Sequence, residues 1–176
     1  MQNEKYSSML IKHVVDHFLS FKRKEKKIMI YSFEIKKTAP IQAVSISFKG
    51  EYCDIGKYIG TLYKAIRGRA TGAPFCCYYE PGNLENTEIE LCVPFIGTIA
   101  GNDVTVKQLP STNTLCTRHI GSYETLNQAY QQILKYAKEN GYKLLSPSRE
   151  IYVKGPGRFL KGNPQNYITD IVIPIS

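Results

Sequence analysis

In the stretch "SPSREIYVKG" (residues 146–155) a carboxylate, Glu150, stands two residues before a phenol, Tyr152. Tyr152 and Val153 favour extended backbone, and Pro147 disfavours helix for the residue before it. On a strand, residues two apart share a face, so Glu150 and Tyr152 point the same way. Facing water, such a pair needs no explanation. Facing inward, a carboxylate beside aromatic rings attracts a lipophilic cation through charge and ring faces. Alternatively it moves a proton, because burial raises a carboxyl pKa toward neutrality.

The other reactive side chains are less organised. Five cysteines (Cys53, Cys76, Cys77, Cys92, Cys116) form no C-x-x-C pair and no Cys/His ligand spacing. Adjacent Cys76 and Cys77 would point to opposite faces of a strand. Free buried thiols are therefore expected, with no disulfide framework and no metal site. His13 and His17 are four apart on a helical pattern, but no acidic or Cys partner lies near, so packed or exposed histidines are expected rather than ligands. Cys116 and His119 are three apart, which puts them on opposite strand faces, and no G-x-S-x-G elbow occurs. Covalent catalysis is not expected.

These residues need elements to hold them. The 176 residues suffice for one domain with a sizeable core. Thirteen Tyr and seven Phe with no Trp tilt the aromatics toward side chains that are apolar with a polar tip. The net charge of +8 is uneven: residues 1–28, with seven Lys/Arg and three Asp/Glu, carry half of it. The body is only mildly basic, so no nucleic-acid binding is expected of it. No apolar run is long enough to span a bilayer and no signal peptide is evident, which gives the expectation of a cytoplasmic protein.

Residues 1–28 read as an amphipathic helix and basic linker, with Met9, Leu10, Val14, Phe18 and Phe21 at helical spacing. Residues 6–21 would dock on the body, pair with a second copy, or meet another protein. Met29 directly precedes "IYSFEIKK", which makes Met29 an alternative natural start.

Beyond residue 29 the chain repeats. "YSFEIKK", "VSISFKGEYCDIGKYIGTLYKAI", "APFCCYYE" and "EIELCVPF" are answered in order by "VTVKQLP", "LCTRHIGSYETLNQAYQQILKYA", "SREIYV" and "ITDIVIPI". Gly50 answers Gly121, Tyr52 answers Tyr123, and Pro94 answers Pro174. The expected fold is α+β: duplicated βαββ units, residues 30–97 and 103–176, with pseudo-twofold symmetry. Ser122 is the expected cap of the second helix, whose stripe is Leu126, Ala129, Tyr130, Ile133, Leu134 and Ala137, with Asn140-Gly141 as the stop. Asp54 should cap the first helix, with Ile55, Ile59, Leu62, Tyr63 and Ile66 as its stripe. Gly56 and Gly60 are costly inside that helix; four apart, they leave a bare strip for a neighbour or a ligand, with close packing the first expectation. Ile89, Leu91 and Val93 should share one face of their strand, Glu90 and Cys92 the other.

In "HIGSYETLNQAYQQILKYAKENGY", "SPSREIYV" and "YITDIVIPI", the order, spacing and terminal "IPI" resemble the GyrI-like small-molecule-binding family over about residues 29–176. That family includes effector-binding domains of AraC-type and MerR-type multidrug regulators, and its fold is shared with SOUL-type haem-binding proteins. The resemblance implies two fused βαββ units around an aromatic cleft with an acidic floor, which falls on Glu150. Residues expected to line the cleft are Tyr152, Tyr52, Tyr123, Phe75, Tyr78 or Tyr79, and Tyr167. The register of Tyr78 and Tyr79 stays open, since a one-residue slip exchanges them.

The resemblance implies a domain that senses or sequesters hydrophobic, often cationic, compounds. Two alternatives stand beside it: a hydrolase of cyclopropane-bearing genotoxins with Glu150 as general acid or base, and a protein-binding role such as gyrase inhibition. No cofactor is expected, because His119 alone lies in the body and haem would lack its ligands. Residues 1–28 are too few for a DNA-binding head. The loop "VKGPGRFLKGNPQN", with Phe159 and Leu160 at its centre, is either a lid over the cleft or an ordinary connection.

Overall fold

The computed structural model describes residues 30–50, 54–79, 88–99, 103–156 and 162–176. The N-terminal helix, His13, His17, Met29, Tyr52, Cys53, Phe159 and Leu160 lie outside the described residues. Residues 31–176 form one compact unit.

Among the described residues, eight strands make one antiparallel sheet: β1 (Phe33–Lys37), β2 (Ile41–Lys49), β3 (Phe75–Tyr78), β4 (Glu88–Pro94), β5 (Thr105–Leu109), β6 (Asn113–Ile120), β7 (Ser148–Lys154) and β8 (Ile168–Pro174). Helix α1 (Ile55–Ala65) follows β2, and α2 (Leu126–Glu139) follows β6. Their order across the sheet is β1-β6-β8-β7-β3-β4-β2-β5. Thus β3 and β7 are the middle pair, and β1 and β5 each cross to the edge of the other half.

Alternation sets the two faces of the sheet. Val44, Phe48, Ile89, Leu91 and Val93 pack with Leu62 and Ile66 at the end of α1. Leu115, Ile171 and Ile173 pack with Leu126, Ala129, Ile133 and Ala137 of α2. The opposite parity (Ala43, Phe75, Cys77, Cys92, Leu109) forms a separate apolar cluster on the far face. α1 therefore packs over β2 and β4 and α2 over β6, with β3 and β7 between them.

Local signals explain the helix ends. Ser122 caps a short 3₁₀ turn, Tyr123–Thr125, that leads into α2; its side chain accepts from the Glu124 N–H at 3.2 Å. At the other end Gly141 has φ +73°, and the Tyr142 N–H donates to the Ala137 carbonyl at 2.9 Å. That is a Schellman ending, which glycine adopts without strain.

Three expectations are corrected. Leu134 and Tyr63 point to solvent, because α1 and α2 bury a narrower stripe than their apolar spacing implies. Asp54 occupies the N-cap position of α1 as expected, but its side chain makes no capping hydrogen bond and reaches Lys57 at 2.5 Å. Gly56 and Gly60 are exposed, and a Cβ at either meets nothing within 4 Å among the described residues, so close packing does not account for them. The four described cysteines are free and buried, as expected.

Candidate functional site

Glu150 lies on the central strand β7, opposite Cys76 of β3 and Ile171 of β8. Its side chain faces the helices and is 0% exposed. A carboxylate so placed requires hydrogen bonds, since leaving it bare costs several kcal/mol. Two phenols donate to it among the described residues. The Tyr130 hydroxyl of α2 donates to Glu150 Oε1 at 2.8 Å, and the Tyr152 hydroxyl donates to Oε2 at 3.2 Å.

The phenols continue as a chain. Tyr78 and Tyr152 hydroxyls meet at 3.1 Å. Tyr123 packs edge-on against Tyr152, with centroids 5.6 Å apart, and lies 5.2 Å from the Tyr167 ring. The Tyr123 hydroxyl comes so close to Gly155 that a Cβ there would sit 2.6 Å from it, so only glycine leaves the ring its place. A register shift between Tyr152 and Lys154 against β8 lies beside this cluster. Such bulges re-aim side chains where strands approach a site.

Burial governs the protonation of these groups. It pushes Tyr152 well above the ordinary phenol range, with the nearby Glu150 carboxylate adding to the effect. It pushes Tyr123 to about 12 and the Cys76 thiol to about 12. At neutral pH these groups keep their protons, so the phenols serve as donors and Cys76 is not a nucleophile.

Glu150, Tyr152, Tyr78, Tyr123 and Tyr167 are thus brought together, and Tyr78 rather than Tyr79 faces the helices. Two expected lining residues are not. Phe75 is in register with Ile151, not with Glu150, and packs on the far face. Tyr79 donates to Glu90 Oε2 at 2.5 Å, also away from Glu150. Both fall to strand parity, because Cys76 and Tyr78 take the inward positions of β3. Arg149, in register with Cys77, likewise belongs to the far face.

Sequence reasoning missed Tyr130 and Cys76. Tyr130 was assigned to the apolar stripe of α2, and the signal was present there: a phenol on a buried stripe needs a partner for its hydroxyl. His119 is structural. Its Nδ1 meets the Tyr31 hydroxyl at 2.9 Å, and its Nε2 lies 3.2 Å from the Ser122 carbonyl. A carbonyl only accepts, so Nε2 carries the proton and Tyr31 donates to Nδ1. Burial holds this imidazole below its ordinary pKa. Among the described residues no helix is long and apolar enough to cross a membrane.

A buried carboxylate ringed by phenols suits recognition of a positive charge on an apolar body, or proton transfer to a bound molecule. Known structures share the fold. EcmrR in complex with DNA is 22% identical, with a TM-score of 0.69 over 99% of this chain and 67% of that one. The EcmrR C-terminal domain alone is 20% identical (TM-score 0.67; 84% of this chain, 99% of that one). A hydrolase from Listeria innocua is 12% identical (TM-score 0.65; 89% and 98%). SAV2435 bound to tetraphenylphosphonium is 16% identical (TM-score 0.54; 82% and 94%). No curated protein matches by sequence. The model of one family, the GyrI-like small molecule binding domain, matches residues 31–176, and the chain belongs to that family.

Proposed function

We propose that the chain is an effector-binding domain that senses or sequesters a lipophilic cation between α1 and α2, with Glu150 as the charge partner. One observation carries this reading: a fully buried carboxylate on a middle strand accepts from two phenols inside a tyrosine cluster. Ring faces favour a cation, and removing water strengthens the attraction of the carboxylate for it. SAV2435, with tetraphenylphosphonium bound, has the same fold and supports the ligand class.

The two halves are read as duplicated βαββ units. The strand order supports this, since exchanging β1–β4 with β5–β8 reverses the order and returns the same sheet. Each half then contributes one helix and one middle strand to the site.

A second reading takes Glu150 as general acid or base toward a bound molecule, with the phenols of Tyr130 and Tyr152, which donate to it, assisting. Incubation with tetraphenylphosphonium and with an electrophilic cyclopropane, followed by chromatography, separates the two. Bound and recovered intact, both compounds support the binding domain. Turnover of the cyclopropane lost in Glu150→Gln, with binding retained, makes the chain a hydrolase.

A further inference from the structure

The far face of the sheet carries a second polar cluster, unconnected with Glu150. Cys77 of β3 stands directly across from Glu90 of β4, and Cys92 lies two residues further along β4 on the same face. One ligand atom from each (two sulfurs and a carboxylate oxygen) lies within 4.8 Å of the others, and all three residues are buried. Donors around one tetrahedral ion, at about 2.3 Å for sulfur and about 2.0 Å for oxygen, stand roughly 3.5–4 Å apart. The cluster therefore needs only a small contraction to close on an ion.

We propose that Cys77, Cys92 and Glu90 form a site for a thiophilic divalent cation of the zinc class. Two thiolates and one carboxylate favour zinc over calcium or magnesium, which take all-oxygen sets. Three protein ligands leave one tetrahedral position for water.

Charge supports the assignment. The Glu90 carboxylate is already offset by Lys107, which with the Tyr79 hydroxyl holds Oε2 and fixes the orientation of the group. Small residues on β2, Ala43 and Ser45, let the Lys107 side chain cross from β5 to β4. Exchanging two thiol protons for one divalent cation leaves the net charge of the cluster unchanged. Arg149, in register with Cys77 and 4% exposed, pairs with no carboxylate among the described residues. A thiolate at Cys77 would give that buried guanidinium a negative neighbour. The sequence conceals the set because its spacing is not local: strand register, not a C-x-x-C loop, brings Cys77 to Cys92.

The test uses the full chain, fully reduced and metal-free, titrated with Cd2+ as the probe. The expected result is saturation at one ion per chain, seen as thiolate-to-cadmium charge-transfer absorption, with release of two protons and displacement of the ion by Zn2+. Since even outer partners of a metal site are worth 10–100-fold, losing both sulfurs in C77S/C92S should weaken binding at least ~100-fold. Glu90→Gln should weaken it less, and Cys116→Ser should leave it intact. If C77S/C92S fails to fold, proton release by the wild type and the effect of Glu90→Gln still decide the matter. Absence of saturable absorption, retention of full affinity in C77S/C92S, or equal loss in Cys116→Ser overturns the site.

Discussion

The Tyr130 hydroxyl donates to Glu150 Oε1 at 2.8 Å, which ties the second helix to the middle of the sheet through a fully buried carboxylate. A hydrogen bond to a charged group is worth about 1.5–3 kcal/mol. Tyr130→Phe removes the donor and leaves the ring, so stability should fall by about that amount. In a double-mutant cycle with Glu150→Gln, urea unfolding should give a coupling above ~0.5 kcal/mol. Additive losses would show that the two side chains do not support each other.

The contact between Gly155 and Tyr123 makes a different demand. A methyl group at Gly155 would sit 2.6 Å from the Tyr123 hydroxyl, so the ring must swing away from Tyr152 and Tyr167. Gly155→Ala should therefore reduce affinity for tetraphenylphosphonium about tenfold or more, at ~1.4 kcal/mol per tenfold. Pairing it with Tyr123→Ala, which removes the obstruction, should abolish any further effect of the alanine. Unchanged affinity in Gly155→Ala would place Tyr123 outside the binding surface.

Gly56 and Gly60 give the opposite expectation. Both are exposed within α1, with open space where a side chain would begin. Alanine at either should raise stability by about 0.5–1 kcal/mol, through helix propensity and a less mobile unfolded chain. Thermal unfolding of the single variants measures this. A drop in Tm would mean that some other part of the chain packs against the helix there.

His119 sets a pH dependence. Its folded pKa is lowered, chiefly by burial, from an ordinary value of 6.5. The unfolded chain therefore takes up the proton first, and the folded state resists it. The associated stability is fully present above pH 6.5 and is lost as pH falls below that value. His119→Gln cannot take up the proton, so the gap in urea midpoint between wild type and H119Q should narrow from about pH 7.5 to about pH 5.5. A constant gap would contradict a neutral, buried imidazole.

Much of this arrangement was legible in the chain because period and parity are local. Alternation in "EIELCVPF" groups Ile89, Leu91 and Val93 on one face of their strand, and the structure turns that face to α1. The Glu150-x-Tyr152 spacing placed both side chains on one face. What failed depended on register between strands. Phe75 and Tyr79 were grouped with Glu150 because nothing in "PFCCYYE" says which parity meets β7. Tyr130 was hidden for another reason: its ring satisfies the apolar pattern of α2, and its hydroxyl has a partner twenty residues away on another element. The extent of the buried stripe was misjudged at Leu134 and Tyr63, since helical spacing gives the direction of a face but not how wide a sheet covers it.

Glu150 as the charge partner of a lipophilic cation is tested most directly by calorimetric titration of the full chain. Wild type and Glu150→Gln are each titrated with tetraphenylphosphonium and with neutral triphenylphosphine oxide. The account predicts that the substitution weakens cation binding by about tenfold or more, the worth of a buried charge contact, and leaves the neutral compound within a few-fold. Equal affinity of both proteins for the cation would contradict it.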